Sequence, residues 1–211
     1  MICKLLKEQP PIAPVPDTDC YMLMEDYERK IREYTVKVPM GFIFDGASIP
    51  KLAQIFSFTP FAARIMPIAL IHDWLYTCHH LKGGQKIKQD TADDIQEYLC
   101  EEFNIPGSLT RAINRTTRVL GRIYWKKDNK HRKIMCIVKH CNKNARNNPS
   151  EYGIPQIDCS DLPAGGVTIE YIKKLFPFPL KKNEIEQLLQ KIDSELKAVQ
   201  DVTLSQSKNT E

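Results

Sequence analysis

The chain has 211 residues, of which 42% are hydrophobic and 27% charged, so it is long enough for one or two domains with a buried core. Its net charge of +4 is too small to identify a class of partner, and no apolar run is long enough for a membrane span or a signal peptide. The 7 cysteines are odd in number and irregularly spaced, which predicts reduced thiols in a cytosol-like compartment, although leaderless export or packaging in a virion stays open.

The first elements in chain order are an arm and three short strands. Residues 1–16 are rich in proline and are predicted to form an extended arm. Alternating apolar residues then predict strands at 20–27 and 33–38, joined by a polar hairpin turn at 28–32. A short apolar run at 41–44 predicts a third strand, and the three would form a small antiparallel sheet.

Three helices are predicted to follow the strands. Pro67 suits the first position of a helix, and apolar residues recur after it at helical spacing. Asp90 or Thr91 is the predicted cap of a second helix over 92–103. A third helix is predicted from Ser108 to about residue 126.

The composition changes after residue 127. Residues 128–165 are basic, rich in asparagine and predicted to be irregular, and 168–176 is predicted to be a short helix. Asn183 is the predicted cap of a last helix, whose apolar face at heptad-like spacing needs either the core or another chain as a partner. Residues 201–211 are predicted to be a disordered tail.

These elements predict an α+β fold: a small antiparallel sheet followed by antiparallel helices, with a helical C-terminal extension. In this scheme the core domain comprises residues 17–127, and 128–200 is a basic and helical extension.

His72 and Asp73 lie next to each other on the first predicted helix and point about 100° apart, so they are free to take different tasks. The imidazole can accept a proton near neutral pH, while the adjacent carboxylate can hold a cation. Asp93 on the second helix is predicted to face His72 and to fix its tautomer, as an orienting carboxylate does. Tyr76, one turn after His72, is predicted to steady that carboxylate.

A cation site is predicted beside Asp73. Asp45 and Gly46 open a turn after the third strand, and carboxylates with free carbonyls are the ligands that calcium prefers. Asp90 and Asp94 are weaker alternatives to Asp93 as the partner of the histidine. The competing interpretation is that this polar cluster stabilises the fold and that Asp45 only caps a helix.

Two further patterns lie towards the C-terminus. Four arginines line one face of the third helix and predict contact with anionic lipid headgroups, nucleic acid or an acidic protein, against the alternative of a solvated face (Arg111, Arg115, Arg118 and Arg122). Nucleic acid is not favoured, because aromatic residues are sparse there. A zinc site is not favoured at Cys136, His140 and Cys141, with His131 nearby, because their spacing is poor for zinc. We expect these side chains to be thiols and imidazoles without a bound metal.

The segment from Tyr34 to Trp125 resembles a phage- and prophage-associated family of unknown function. The resemblance rests on VPMGFIFDGASIPKL, ALIHDWLY, TADDIQEYL and VLGRIYW, in this order. It implies a viral or prophage origin, and hence the host bacterial cytoplasm or a virion as the location.

The run His72-Asp73-x-x-Tyr76 is also similar to the catalytic helix of phospholipase A₂. That resemblance implies His72 as the base that activates water, Asp73 as a calcium ligand, Asp93 as the aspartate that orients the histidine, and Asp45 as the start of the calcium loop. The chain lacks the glycine-rich calcium loop and the disulfide pattern of that family.

Two functions are therefore expected. The first is a phage-encoded, calcium-dependent ester or phospholipid hydrolase that uses a His-Asp dyad and docks on anionic membrane. The second is a non-enzymatic virion component or host-interaction protein, in which the cluster is structural and the last helix can mediate oligomerisation.

Overall fold

In a computed structural model of the protein, the described residues are 9–18, 20–45, 64–126, 129–163 and 166–176. They form two small antiparallel sheets and six α-helices, which confirms the predicted α+β class. No helix among them is long and apolar enough to cross a membrane. The predicted last helix from Asn183 and the tail 201–211 lie outside the described residues.

Five short strands make up the sheets. One sheet has the order β1-β2-β5 and the other pairs β3 with β4, all antiparallel. The strands are β1 (Ile12–Pro14), β2 (Tyr21–Leu23), β3 (Tyr27–Ile31), β4 (Tyr34–Val38) and β5 (Ile43–Phe44). Part of the predicted proline-rich arm is therefore an edge strand, a position that tolerates proline because one side of the strand needs no donor.

The predicted turn at 28–32 is wrong, because residues 28–31 belong to β3 and only Arg32 lies in a turn. Tyr27 and Ile31 are buried, with exposed or half-buried residues between them, which is the alternation of a strand with one covered face. The chain instead reverses at Arg32 and Glu33, where Arg32 has φ 52°. A two-residue hairpin connection requires such left-handed backbone.

The helices are α1 (Met66–Cys78), α2 (Gln89–Glu102), α3 (Gly107–Tyr124), α4 (Asn129–Cys141), α5 (Lys143–Asn147) and α6 (Ile169–Leu175). A 3₁₀ turn spans Pro149–Tyr152. The helices predicted at Pro67, Ser108 and 168–176 are confirmed. The predicted caps Asp90 and Thr91 are wrong, because α2 begins earlier and has Lys88 at its N-cap.

The prediction that residues 128–165 are irregular is wrong, since α4, α5 and the 3₁₀ turn lie there. Ile134, Met135 and Val138 are buried in the same cluster as the apolar residues of α1 and α2. The basic residues of this stretch mask a helical apolar pattern, because long side chains keep their charge in water while the next face packs inward.

A disulfide joins Cys136 on α4 to Cys159, so the prediction that every cysteine is reduced is wrong. The two residues are 23 positions apart, and packing of the segment after the 3₁₀ turn against α4 brings them together. Arg132 strengthens the same junction by donating to Asp161 and to the carbonyl oxygen of Asp158. Cys136 therefore has a structural partner and is not a zinc ligand.

Asp26 links the strands to the later helices. Its Oδ1 accepts hydrogen bonds from the backbone N–H of Met40 at 2.9 Å and from Asn142 Nδ2 at 2.8 Å. Its Oδ2 accepts one from the hydroxyl of Tyr152 at 2.7 Å, which, together with burial, raises the pKa of that tyrosine. One carboxylate thus connects the β2–β3 turn with α5 and the 3₁₀ turn.

We expect Asp26→Ala to lower the free energy of unfolding by about 2–4 kcal/mol, because three hydrogen bonds to a charged acceptor are lost together. Urea titration followed by circular dichroism measures this loss. Glu25→Ala, at an exposed neighbouring carboxylate, is the matched control and should change stability little. Equal stability of the two variants would contradict the linking role of Asp26.

Candidate functional site

Helices α1 and α2 pack side by side and bring His72 against Asp93. His72 Nε2 and Asp93 Oδ1 are 3.3 Å apart, which confirms the predicted contact between these side chains. Both are buried, with 8% of His72 and 2% of Asp93 exposed. The sequence produces this arrangement because Ile71 and Leu75 on α1 and Ala92 on α2 are buried in the core and hold the helices in register.

Asp93 is the centre of a polar cluster of four side chains. The hydroxyl of Tyr76 donates to Asp93 Oδ1 at 2.6 Å, as the sequence predicted. Gln89 Nε2 donates to Oδ2 at 3.4 Å. Both oxygens of the buried carboxylate thus have donors, a condition for keeping a negative charge away from water.

Helix α3 closes one side of the cluster. A Cβ atom at Gly121 would lie well inside contact distance of Tyr76 Oη and 2.7 Å from Gln89 Nε2. Trp125, just after α3, packs edge-on against the ring of Tyr76, with the ring centroids 5.0 Å apart. Contact this close needs a residue without a side chain, so Gly121 sets the distance between α3 and the cluster.

The environment changes the acidity of the clustered groups. Burial lowers the pKa of His72, but hydrogen bonds and negative charge from Asp73 and Asp93 outweigh burial, so the pKa is raised. Burial and the bond to Asp93 raise the pKa of Tyr76, so its hydroxyl stays a donor. A histidine with a raised pKa is a stronger base than a solvated one.

Asp73 lies on the other side of the imidazole. Its Oδ1 is 3.9 Å from His72 Nδ1, and 24% of its side chain is exposed. Its Oδ2 is buried and has no hydrogen-bond partner. Burial and the negative charge of Asp45 raise the pKa of Asp73 to about 6, against the opposing effects of His72 and Lys130. Ionisation of Asp73 therefore costs more free energy in the folded protein than in water.

Asp45 directly follows β5 and is exposed as a residue, yet loss of hydration at its carboxyl raises its pKa. The negative charge of Asp45 contributes to the raised pKa of Asp73, and their grouping as cation ligands stays a prediction. Gly46, the other predicted contributor, lies outside the described residues. In the part of the chain that the structure describes, no three His, Cys, Asp or Glu side chains group as a metal site.

Because the pKa of Asp73 is raised, the difference in stability between wild type and Asp73→Asn should depend on pH. Because its pKa is higher in the folded protein than in the unfolded chain, the protonated form favours folding and ionisation destabilises the fold as pH rises from about 4. We therefore expect Asp73→Asn, without added cations, to match wild type below pH 4 and to exceed its stability by on the order of 2 kcal/mol above pH 6.

Thermal unfolding from pH 3.5 to 8 in a chelating buffer checks this expectation. Asp90→Asn, at an exposed aspartate on the next helix, is the control and should follow wild type. A constant difference between Asp73→Asn and wild type at every pH would contradict it.

The alternatives to Asp93 lie elsewhere. Asp90 is exposed, and Asp94 pairs with Arg118 at 3.4 Å on the surface. The four arginines of α3 are exposed, as predicted.

The sequence did not lead to a prediction that Gln89 and Gly121 belong to the cluster. Gln89 precedes Asp93 by one helical turn. A predicted helix that began before residue 92 would have placed Gln89 on the same face as Asp93. Gly121 gives no signal of its own in the sequence, because only the packing of α3 over Tyr76 makes it important.

Comparison with known proteins finds a match to one family model over part of the chain. No curated protein and no solved structure matches the chain. The family model described as "Protein of unknown function (DUF1353)" matches residues 21–113, a span that contains His72, Asp73, Tyr76 and Asp93.

Proposed function

We propose that the protein is a hydrolase of carboxylic esters, with phospholipids as the substrate class, in which His72 is the general base. The observation that supports this is the contact of His72 Nε2 with the buried carboxylate of Asp93. Both oxygens of that carboxylate accept hydrogen bonds from other side chains. A proton held on Nε2 and donated to Asp93 leaves the lone pair of Nδ1 available, on the side of the imidazole that faces Asp73.

In the proposed reaction, a water molecule at Nδ1 transfers a proton to the imidazole while its oxygen attacks the ester carbonyl carbon. The tetrahedral intermediate then collapses, and the proton on Nδ1 passes to the departing alkoxide oxygen, giving an acid and an alcohol. Asp93 stabilises the imidazolium that exists between these two transfers. Tyr76 and Gln89 keep the carboxylate of Asp93 in place throughout.

The residues around Asp73 suit a hard divalent cation such as calcium. Asp73 has a buried oxygen without a partner, and Asp45 contributes a second negative charge. Calcium bound by these carboxylates would polarise the ester carbonyl and stabilise the developing oxyanion. Gly46 belongs to the same proposal through the backbone that follows Asp45.

The phage origin and the membrane partner are part of the proposal. The origin is supported by the resemblance of DGASIP, HDWLY and the following Ala-Asp helix to a phage- and prophage-associated family. The membrane is supported by the exposed arginines of α3, because cationic side chains on one helix face attract anionic headgroups. Location in the host cytoplasm or the virion, and oligomerisation through the last helix, follow the same reasoning from the sequence.

One observation favours a second candidate, a non-enzymatic virion or host-interaction protein. Only 8% of His72 is exposed, and each carboxylate oxygen of Asp93 accepts a hydrogen bond from a neighbouring side chain. A closed, satisfied polar network of this kind also specifies a unique core without any chemistry.

A hydrolysis screen separates the two candidates. Wild type and His72→Gln are compared on anionic phospholipid vesicles and on short-chain nitrophenyl esters, each with calcium and with a chelator. We expect calcium-stimulated release of fatty acid or nitrophenol by wild type and its loss in His72→Gln, whose amide keeps a polar contact with Asp93. His140→Gln, at an exposed histidine, is the control and should remain active. Identical traces for wild type and His72→Gln would refute the hydrolase proposal.

A further inference from the structure

The rings of His72, Tyr76 and His79 follow one another along one face of α1. They are four and three residues apart, the spacing at which side chains lie above each other on a helix. All three are buried, and the ring centroids of His72 and Tyr76 are 4.2 Å apart. His79 is the C-cap of the helix, with φ 61°. The C-terminal half of α1 therefore presents a row of three buried rings.

Trp125 enters this row between Tyr76 and His79. Its ring meets that of Tyr76 edge-on, with 84° between the ring planes, and stacks on that of His79, with 10° between the planes. Both are favourable geometries for a pair of aromatic rings. The backbone N–H of Trp125 donates to the carbonyl oxygen of Gly121 at 2.6 Å, so the end of α3 determines where the indole lies. The indole thus joins α3 to two successive turns of α1.

The ring of Tyr76 is held between the imidazole of His72 and the indole of Trp125. Its hydroxyl donates to Asp93 Oδ1 at 2.6 Å, and the same oxygen lies 3.3 Å from His72 Nε2. If the tyrosine ring turned away, Asp93 would lose its shortest hydrogen bond, and its carboxylate could rotate about its last bond. The indole occupies the space into which that ring would turn. Trp125 therefore acts on the orienting carboxylate through Tyr76.

We propose that Trp125 is a positioning residue for the hydrolytic reaction, because its indole fixes the ring of Tyr76 and so keeps the Asp93 carboxylate turned towards His72. The inference rests on the proposed function and adds a residue to it. Trp125 lies beyond residues 21–113, so the family match does not contain it. When the orienting carboxylate turns away, the imidazole samples both tautomers and several orientations, and fewer molecules have Nδ1 free as a base.

Ester kinetics test the proposal with Trp125→Leu, Trp125→Phe and the control Tyr124→Leu. Leucine removes the ring edge against Tyr76 and phenylalanine restores one, whereas Tyr124 is a neighbour that is 54% exposed. We expect Trp125→Leu to lower kcat roughly tenfold with KM little changed, and Trp125→Phe to recover most of that loss. In a Tyr76→Phe background, Trp125→Leu should add little, because two changes that act through one side chain do not multiply.

The hydroxyl proton of Tyr76 gives a readout that needs no hydrolysis. A buried hydroxyl bonded to a carboxylate exchanges slowly with water, and the NMR signal that disappears in Tyr76→Phe identifies its proton. We expect this proton to exchange at least roughly tenfold faster in Trp125→Leu and to stay protected in Trp125→Phe and Tyr124→Leu. Circular dichroism checks that each variant is folded, and Trp125→Met serves as the second variant without a ring.

Three results would overturn the proposal: an unprotected hydroxyl in wild type, an unchanged signal in the ringless variants, or lower thermal stability of those variants with unchanged kcat. The last result is what a merely structural role of Trp125 predicts. Faster exchange in Trp125→Leu together with a negative ester screen refutes the hydrolase alone and still supports the hold of Trp125 on Tyr76.

Discussion

Asp93→Asn is expected to lower kcat for ester hydrolysis by roughly 10²–10⁴-fold while the protein stays folded. Asparagine has nearly the shape of aspartate, so the packing between α1 and α2 is kept. Its amide carries no charge to stabilise the imidazolium of His72. The amide oxygen that replaces Oδ1 can still accept from Tyr76 and from His72 Nε2, but as a neutral acceptor it holds the proton on Nε2 more weakly than a carboxylate does.

The titration of His72 separates this effect from a merely structural one. Two of the influences that raise the pKa of His72 come from Asp93, so Asp93→Asn should lower it. The acid limb of the pH–rate profile, together with the NMR titration of the imidazole, measures that shift. Asp94→Asn, at the adjacent surface carboxylate paired with Arg118, is the control. Full activity of Asp93→Asn with an unshifted profile would contradict the orienting role.

Gly121→Ala is expected to destabilise the protein by about 2–3 kcal/mol. Helix propensity alone predicts the opposite sign, since alanine in a helix interior is favoured over glycine by about 1 kcal/mol. The added Cβ would overlap the hydroxyl of Tyr76 and lie 2.7 Å from Gln89 Nε2. Relief of that overlap requires either α3 or the two side chains to move, and movement of Tyr76 breaks its bond to Asp93.

The matched control is Gly107→Ala, at the first residue of the same helix. A Cβ there would meet only Arg111 Nη1, at 3.9 Å, an ordinary contact. Denaturant unfolding of the two variants should therefore give opposite or clearly unequal changes in free energy. Comparable stability of Gly121→Ala and Gly107→Ala would show that α3 does not press on the cluster.

The contacts of Asp93 with His72 and Tyr76 could be predicted from the sequence because these residues follow simple helical geometry. His72 and Tyr76 are four residues apart on one helix, and the inward stripe of the next helix carries Asp93. The loop over residues 79–88 lets the two amphipathic helices fold back on each other, and antiparallel packing brings these side chains into contact. The distances from Asp93 to His72 and Tyr76 match that reasoning.

The remaining features depend on contacts between distant parts of the chain. The extent of β3 was missed because its polar residues hide the alternation of Tyr27 and Ile31. Helix α4 was missed because basic residues surround its apolar stripe. The hydrogen bond from Asn142 to Asp26 joins residues far apart in sequence, and no local propensity reports on such a contact.

The bridge between Cys136 and Cys159 gives the protein two chemical forms. Closing a loop with this 23-residue separation restricts the unfolded chain and contributes on the order of 3 kcal/mol in the chain-entropy view. The dithiol form, which a glutathione-rich cytosol maintains, lacks that contribution, whereas oxidising surroundings restore it. Resistance of α4 and the following segment to proteases is consequently greater in oxidising than in reducing surroundings.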